Sequence, residues 1–142
     1  MAATLIPGLR HRTTIVVGER LTVPGVFPDD PQFAKMPPVF ATAYMIGFME
    51  MACIEALCGR LGPGQFTVGT HVNVSHCAAT PLGFSVTADV ELEAVEGRRL
   101  WFKVRAHDGA DLIGEGRHQR AVVDRARFDA MLARKSALRL AS

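Results

Sequence analysis

Three side chains in this sequence have the types and spacing to handle a nucleophile and protons together: Thr42, Glu50 and His76. Glu50 interrupts an otherwise apolar stretch, Phe40-Ala-Thr-Ala-Tyr-Met-Ile-Gly-Phe-Met-Glu50-Met-Ala-Cys-Ile54. Burying a carboxylate is unfavourable unless it is paired, so a glutamate here is either one half of a structural ion pair or a group held for proton transfer. Arg105 and Arg120 are the candidate partners for the first role. Thr42 lies two helical turns before Glu50, where a threonine ahead of an apolar run most simply caps a helix. The capping role is compatible with a chemical one, because a helix start offers free backbone N–H groups and a positive dipole end to an anion or a polarised carbonyl.

These side chains need elements to position them. Pro37-Pro38 forces an extended approach, Phe40 to Arg60 contains no proline, and Leu61-Gly-Pro-Gly64 is a strong stop. The pattern predicts one long helix over Phe40 to Arg60, apolar around most of its circumference and hence central. His76 closes a predicted strand, Thr67-Val-Gly-Thr-His-Val-Asn-Val-Ser-His-Cys77. Simple alternation puts His76 with Val68, Val72 and Val74 toward the helix, and Gly69, His71, Asn73 and Ser75 on the other face. On that reading His71 and His76 are no metal pair. A structural histidine at the core edge is the plain alternative for His76.

The rest of the chain alternates. Val86, Ala88, Val90, Leu92 and Ala94 oppose Thr87, Asp89, Glu91 and Glu93; Leu100, Phe102, Val104 and Ala106 oppose Trp101, Lys103, Arg105 and His107. Turn signals at Thr80-Pro-Leu-Gly83, Glu96-Gly-Arg98 and Asp108-Gly-Ala-Asp111 predict consecutive antiparallel strands. An early strand within residues 11 to 27, a last strand over Arg120 to Val123 and a short helix near Phe128 to Arg134 complete the plan. The expectation is an α+β fold, one antiparallel sheet wrapped around a long central helix, as a single domain over residues 1–142. One small sheet covers such a helix poorly, so a homodimer of two units is expected to bury the remainder.

With 142 residues, a hydrophobic fraction of 49% and a formal charge of +2, the chain suits one soluble unit and does not favour nucleic acid as a partner. The three cysteines form no CxxC pair, which favours a reducing compartment, and the expected location is the cytoplasm. The apolar stretch Met1 to Leu9 is short and lacks a basic leader, so neither a secretory signal nor a membrane association is expected. Gly69 inside a strand marks a bulge or a close approach. Arg98, Arg99, Arg117 and Arg120 gather in the sheet half, as solvated charges or as holders of phosphate or carboxylate. Met45, Met49 and Met51 read as core packing or as an adaptable acyl pocket.

Several segments together carry a family resemblance. Pro38-Val-Phe-Ala-Thr42, Met49-Glu50 with Ala52-Cys53, His76 with Ala78-Ala-Thr-Pro81, Val95-Glu-Gly-Arg-Arg99, Ala106-His-Asp-Gly109 and the run ending Arg120-Ala-Val122 closely resemble the bacterial fluoroacetyl-CoA thioesterase family of hotdog-fold homodimers. The resemblance implies hydrolysis of an acyl-CoA to a free acid and coenzyme A, without metal or redox cofactor. It places Thr42, Glu50 and His76 at the family's catalytic positions, and Gly69 and Arg120 at positions that contact substrate or coenzyme. Phe33 matches as well, whereas Met36 stands where the fluoroacetyl-specific enzyme resembles an aromatic gate. Two other classes use similar residues, a hydratase acting on acyl thioesters and a non-catalytic acyl-CoA-binding module.

Overall fold

The alternating runs become the strands of one antiparallel sheet: β1 (Arg10–Val16), β2 (Gln65–Val74), β3 (Ser85–Glu96), β4 (Arg99–His107) and β5 (Leu112–Asp124). Their order in the sheet is β1-β3-β4-β5-β2, so β1 and β2 are its edges. A computed structural model describes residues 5–141; the first four residues of the apolar N-terminal stretch, on which part of the signal-peptide expectation rested, lie outside them. Between β1 and β2 the chain forms a one-turn helix, α1 (Pro31–Ala34), and the long helix α2 (Thr42–Ala56); a terminal helix, α3 (Arg125–Ala141), follows β5.

The core lies between α2 and the inner face of the sheet. Val86, Ala88, Val90 and Leu92 of β3 and Leu100, Phe102, Val104 and Ala106 of β4 are buried, as the alternation requires, and join a cluster with Met45, Phe48, Met49, Ala52 and Cys53 of α2. At roughly 1.5–3 kcal/mol for each large apolar side chain, this layer supplies the main force that holds α2 against the strands. The opposite side of α2 stays open: Ala43, Gly47, Met51, Ile54 and Glu55 are exposed. The sheet thus covers one side of a helix that is apolar around most of its circumference.

Several elements differ from expectation. The early strand ends at Val16, and residues Glu19–Leu21 and Val23–Gly25 form 3₁₀ turns, because Gly18 and Pro24-Gly25 break the extended run. The central helix is shorter than Phe40 to Arg60, since Phe40 bonds in a bridge to Thr22 and Leu57 already caps the far end. The last strand begins at Leu112 rather than Arg120. Gly114 and Gly116 hide it from the pattern, yet they are needed: a Cβ at Gly114 would lie 2.4 Å from the Ser75 carbonyl, and one at Gly116 would lie 2.0 Å from that of Asn73. The terminal helix runs well beyond Arg134. The helical turn α1, capped by Asp30 through the amides of Gln32 and Phe33, has no counterpart in the expected plan.

Candidate active site

Two groups of polar side chains meet α2, one at its start and one in its middle. At the start, the segment before the helix is pinned by backbone bonds: Phe40 N–H donates to Thr80 O (2.9 Å) and Ala41 N–H to Leu21 O (2.9 Å). Ala41 is therefore the residue before the first turn, and no side chain caps it; Thr42 is the first helical residue rather than the cap. Its hydroxyl is left for His76, with Oγ1 2.7 Å from Nδ1. His76 is not on a strand, because β2 ends at Val74. It is held instead by bonds on both sides, Ser75 N–H to Glu115 O (2.9 Å) and Cys77 N–H to Ile113 O (2.7 Å).

Beyond His76, the loop is anchored by Thr80, whose hydroxyl donates to Asp108 Oδ2 (2.8 Å) while Asp108 Oδ1 accepts the amides of Ala110 (2.9 Å) and Asp111 (2.8 Å). Burial pushes the Asp108 carboxyl up, but the Asp111 amide, the Thr80 hydroxyl and the Ala110 amide together outweigh it and hold it below its ordinary value. Burial also lowers His76, partly opposed by the Ala78 backbone. A neutral His76 is thereby favoured, with Nδ1 free to accept the Thr42 proton and Nε2 shielded from solvent without a hydrogen-bond partner.

The second group surrounds Glu50. Arg120 Nη1 donates to Glu50 Oε2 (3.0 Å), Nε to Thr67 Oγ1 (2.8 Å) and Nη2 to Thr67 O (3.0 Å). Arg120 is only 3% exposed, whereas the Glu50 side chain remains 37% exposed on the open side of α2. Of the two candidate partners for Glu50, the structure brings Arg120. His118, 2% exposed, completes the cluster: its Nδ1 is 2.9 Å from the His71 carbonyl and its Nε2 is 3.0 Å from Arg120 Nη1 and 3.6 Å from Glu50 Oε2. Thr67 and His118 were not singled out in the sequence. His118 shares the parity of Arg120 two residues later, and that was the available signal.

Gly69 belongs to this cluster, not to the outer face where simple alternation put it. The register between β2 and β5 slips between Gly69 and His71, so Thr70 is an extra residue and the faces exchange. A Cβ at Gly69 would stand 2.6 Å from Glu50 Oε2, 3.2 Å from His118 Cε1 and 3.5 Å from Arg120 Nη1. His71 does face outward, edge-on to Trp101 at 5.7 Å between ring centroids. Cys53, buried one turn beyond Glu50, is pushed up to about 12 by burial, with Arg120 opposing and Glu50 adding, so its thiol is inert.

The remaining expected residues are placed as follows. Phe33 packs edge-on against Phe27 with centroids 5.2 Å apart, and Met36 is 48% exposed between α1 and the approach to Thr42. Met45 and Met49 are core residues, while Met51 is exposed. Arg98 meets Asp124 (3.3 Å) and Arg117 meets Glu93 (3.1 Å) at the surface, and Arg99 donates to Gln119 Oε1 (3.0 Å). Among the described residues, no three side chains of metal-binding type cluster, and no helix is long and apolar enough to cross a membrane.

Comparison with known proteins bears on this arrangement. Residues 29–126 match the family model described as fluoroacetyl-CoA-specific thioesterase. The chain belongs to that family. It is 46% identical over 129 residues to the fluoroacetyl-CoA thioesterase of Streptantibioticus cattleyicolor, covering 91% of this chain and 93% of the relative. A solved variant of the fluoroacetyl-CoA-specific thioesterase, in complex with fluoroacetate and CoA, is 47% identical with a TM-score of 0.85, over 87% of this chain and 99% of that one. A thioesterase superfamily member from Thermus thermophilus is 26% identical with a TM-score of 0.88, over 98% of each chain. The family's hotdog fold is the curled sheet and helix described above.

Proposed function

We propose that this chain hydrolyses a short acyl-CoA to the free acid and coenzyme A, at a reaction centre built from Thr42 and His76 of one subunit and Glu50 of another. By family the chain is an acyl-CoA thioesterase, a thioester hydrolase. The observation that carries the mechanism is the 2.7 Å contact between Thr42 Oγ1 and His76 Nδ1 at the start of α2. His76 draws the hydroxyl proton, directly or through a water that Thr42 positions, and oxygen attacks the thioester carbonyl. The free amides of the first turn of α2, or the backbone at Gly69, face the developing oxyanion. As the C–S bond breaks, the sulfur takes the proton held by His76 and leaves as the thiol of coenzyme A. On the water route the free acid forms in this step; on the direct route the acyl group rests on Thr42 Oγ1 until a water, deprotonated by His76, cleaves that ester, releases the acid and restores the hydroxyl.

Glu50 lies eight residues from Thr42, about 12 Å along the helix axis, too far to share a reacting atom within one chain. Two features support a second copy as the source of the missing carboxylate. The edge strand β2 is exposed from Gly69 to Asn73, next to the open apolar side of α2, and a Cβ at Gly47 would meet nothing within 4 Å. Antiparallel apposition of two α2 helices about Ile46, midway between the residues, sets Thr42 of one copy opposite Glu50 of the other. Four of the five N–H donors of the buried Arg120 go to Thr67, Glu50 and His118, so its fitting role is to hold Glu50 rather than a coenzyme phosphate. Met36, flexible and exposed, gates the acyl site less rigidly than an aromatic ring, which favours a broader range of short acyl groups than fluoroacetyl alone.

A thiol-release assay with fluoroacetyl-, acetyl-, longer, branched and aromatic acyl-CoAs tests the reaction, with Glu50→Gln expected to lower kcat about 10²–10⁴-fold. No release from any of them sinks the proposal and favours a binding module. Mixing inactive Thr42→Ala and Glu50→Gln chains under subunit exchange should restore about a quarter of wild-type activity, because half the dimers are mixed and each has one intact site. No restoration despite confirmed exchange would refute the shared centre.

A further inference from the structure

We infer that His118 is a positioning residue, a neutral imidazole whose Nε2 accepts from Arg120 and so fixes the guanidinium that aims the Glu50 carboxylate. This rests on the reading above that Glu50 takes part in the reaction. The assignment begins with His118 Nδ1, 2.9 Å from the His71 carbonyl oxygen. A carbonyl can only accept, so Nδ1 carries the proton. In a neutral ring Nε2 is then a bare acceptor, and Arg120 Nη1 stands 3.0 Å from it.

Arg120 is held along two edges. Nε and Nη2 donate to Thr67, while the two hydrogens of Nη1 divide between Glu50 Oε2 and His118 Nε2. Removing the His118 acceptor leaves one buried Nη1 hydrogen unpaired and frees the edge that faces Glu50. A protonated His118 would set a donor against a donor and a cation against a cation. Burial, first, and the Arg120 charge push His118 below its ordinary value, against the bond to His71 and the Glu50 charge, with His71 itself adding to the lowering. The bulge at Thr70 ties the network to the fold: it brings the His71 carbonyl over His118 and turns Gly69 toward Glu50.

Two substitutions separate the nitrogens. His118→Asn places an amide near Nδ1, keeping a donor for His71 and losing the acceptor for Arg120; His118→Gln places a carbonyl near Nε2 and loses the bond to His71. Positioning predicts that Asn lowers kcat roughly tenfold or more with KM within about twofold, while Gln stays within about threefold of wild type. The reverse order, or losses that merely follow Tm, overturns the inference. Long-range ¹⁵N–¹H NMR of the intact protein gives a readout independent of turnover: at pH 7 His118 should be neutral with Nδ1 protonated. An Nε2-protonated or doubly protonated ring would also overturn it. Wild-type protein that releases no thiol but shows this tautomer would defeat the functional reading while leaving the hydrogen-bond network intact.

Discussion

The two polar groups along α2 are built on opposite principles. The Thr42–His76 pair is joined by a single side-chain hydrogen bond, leaves Nε2 unpartnered, and owes its position to backbone bonds and to the Thr80–Asp108 anchor. The Glu50 group is a closed network in which Arg120 alone makes bonds to Thr67, Glu50 and His118. An unfilled hydrogen-bonding capacity suits a group that must exchange protons with a substrate. A filled one suits a group whose geometry must not drift. One carboxylate thus has two sides: Oε2 is tied to the buried Arg120, while the side chain stays 37% exposed, as the proposed mechanism requires of a group that meets a second copy.

The sharpest way to break the comparison is to remove one member from each group. Arg120→Ala should cost about 3 kcal/mol of stability by denaturant titration, since it leaves Glu50 without its buried cation and strips Thr67 and His118 of a partner. Thr42→Ala should leave the same titration within about 0.5 kcal/mol, because Thr42 is exposed and caps nothing, while abolishing most turnover. Equal stability losses in the two variants would erase the distinction drawn between the groups.

A smaller effect comes from Gly69→Ala. The new methyl would stand 2.6 Å from Glu50 Oε2 and 3.2 Å from His118 Cε1, so the carboxylate must shift within its pairing to Arg120 and leave its aimed position, at a smaller cost in stability than removing Arg120. About a tenfold drop in kcat is expected, or about 1.4 kcal/mol in the barrier, with a smaller loss of Tm than Arg120→Ala shows. Unaltered kcat would mean that the aim of Glu50 does not matter.

The smallest effect is in the pH dependence of Tm. His76 and His118 are both held below their ordinary value, so the unfolded chain binds more protons once pH falls through about 6.5. Their contribution to stability is complete above that pH and is lost on descent toward their folded values. Asp108, also lowered, contributes above about pH 3.9 and loses that contribution as pH falls through its folded value. Scanning Tm downward from pH 7 should therefore show two separate declines. A Tm that stays level from pH 7 to pH 5 would contradict the placement of the histidines.

The layers are legible in the order of residues alone. The alternation in β3 and β4, the two-residue turn at Gly97-Arg98 and the apolar stretch of α2 specify a sheet against a helix, because burial of a periodic apolar face is a local property of the chain. It also marked Glu50, since a carboxylate among apolar residues needs a partner wherever it lands. The company each polar group keeps depends instead on how the strands and helix meet. One extra residue at Thr70 reversed the face of Gly69, and the early end of β2 moved His76 from a strand to a pinned loop. Two glycines conceal the first half of β5, so the place of His118 beside Arg120 does not show in the pattern. Bulges and close approaches arise from how strands fit one another, and a period read along one strand carries no trace of its neighbour's register.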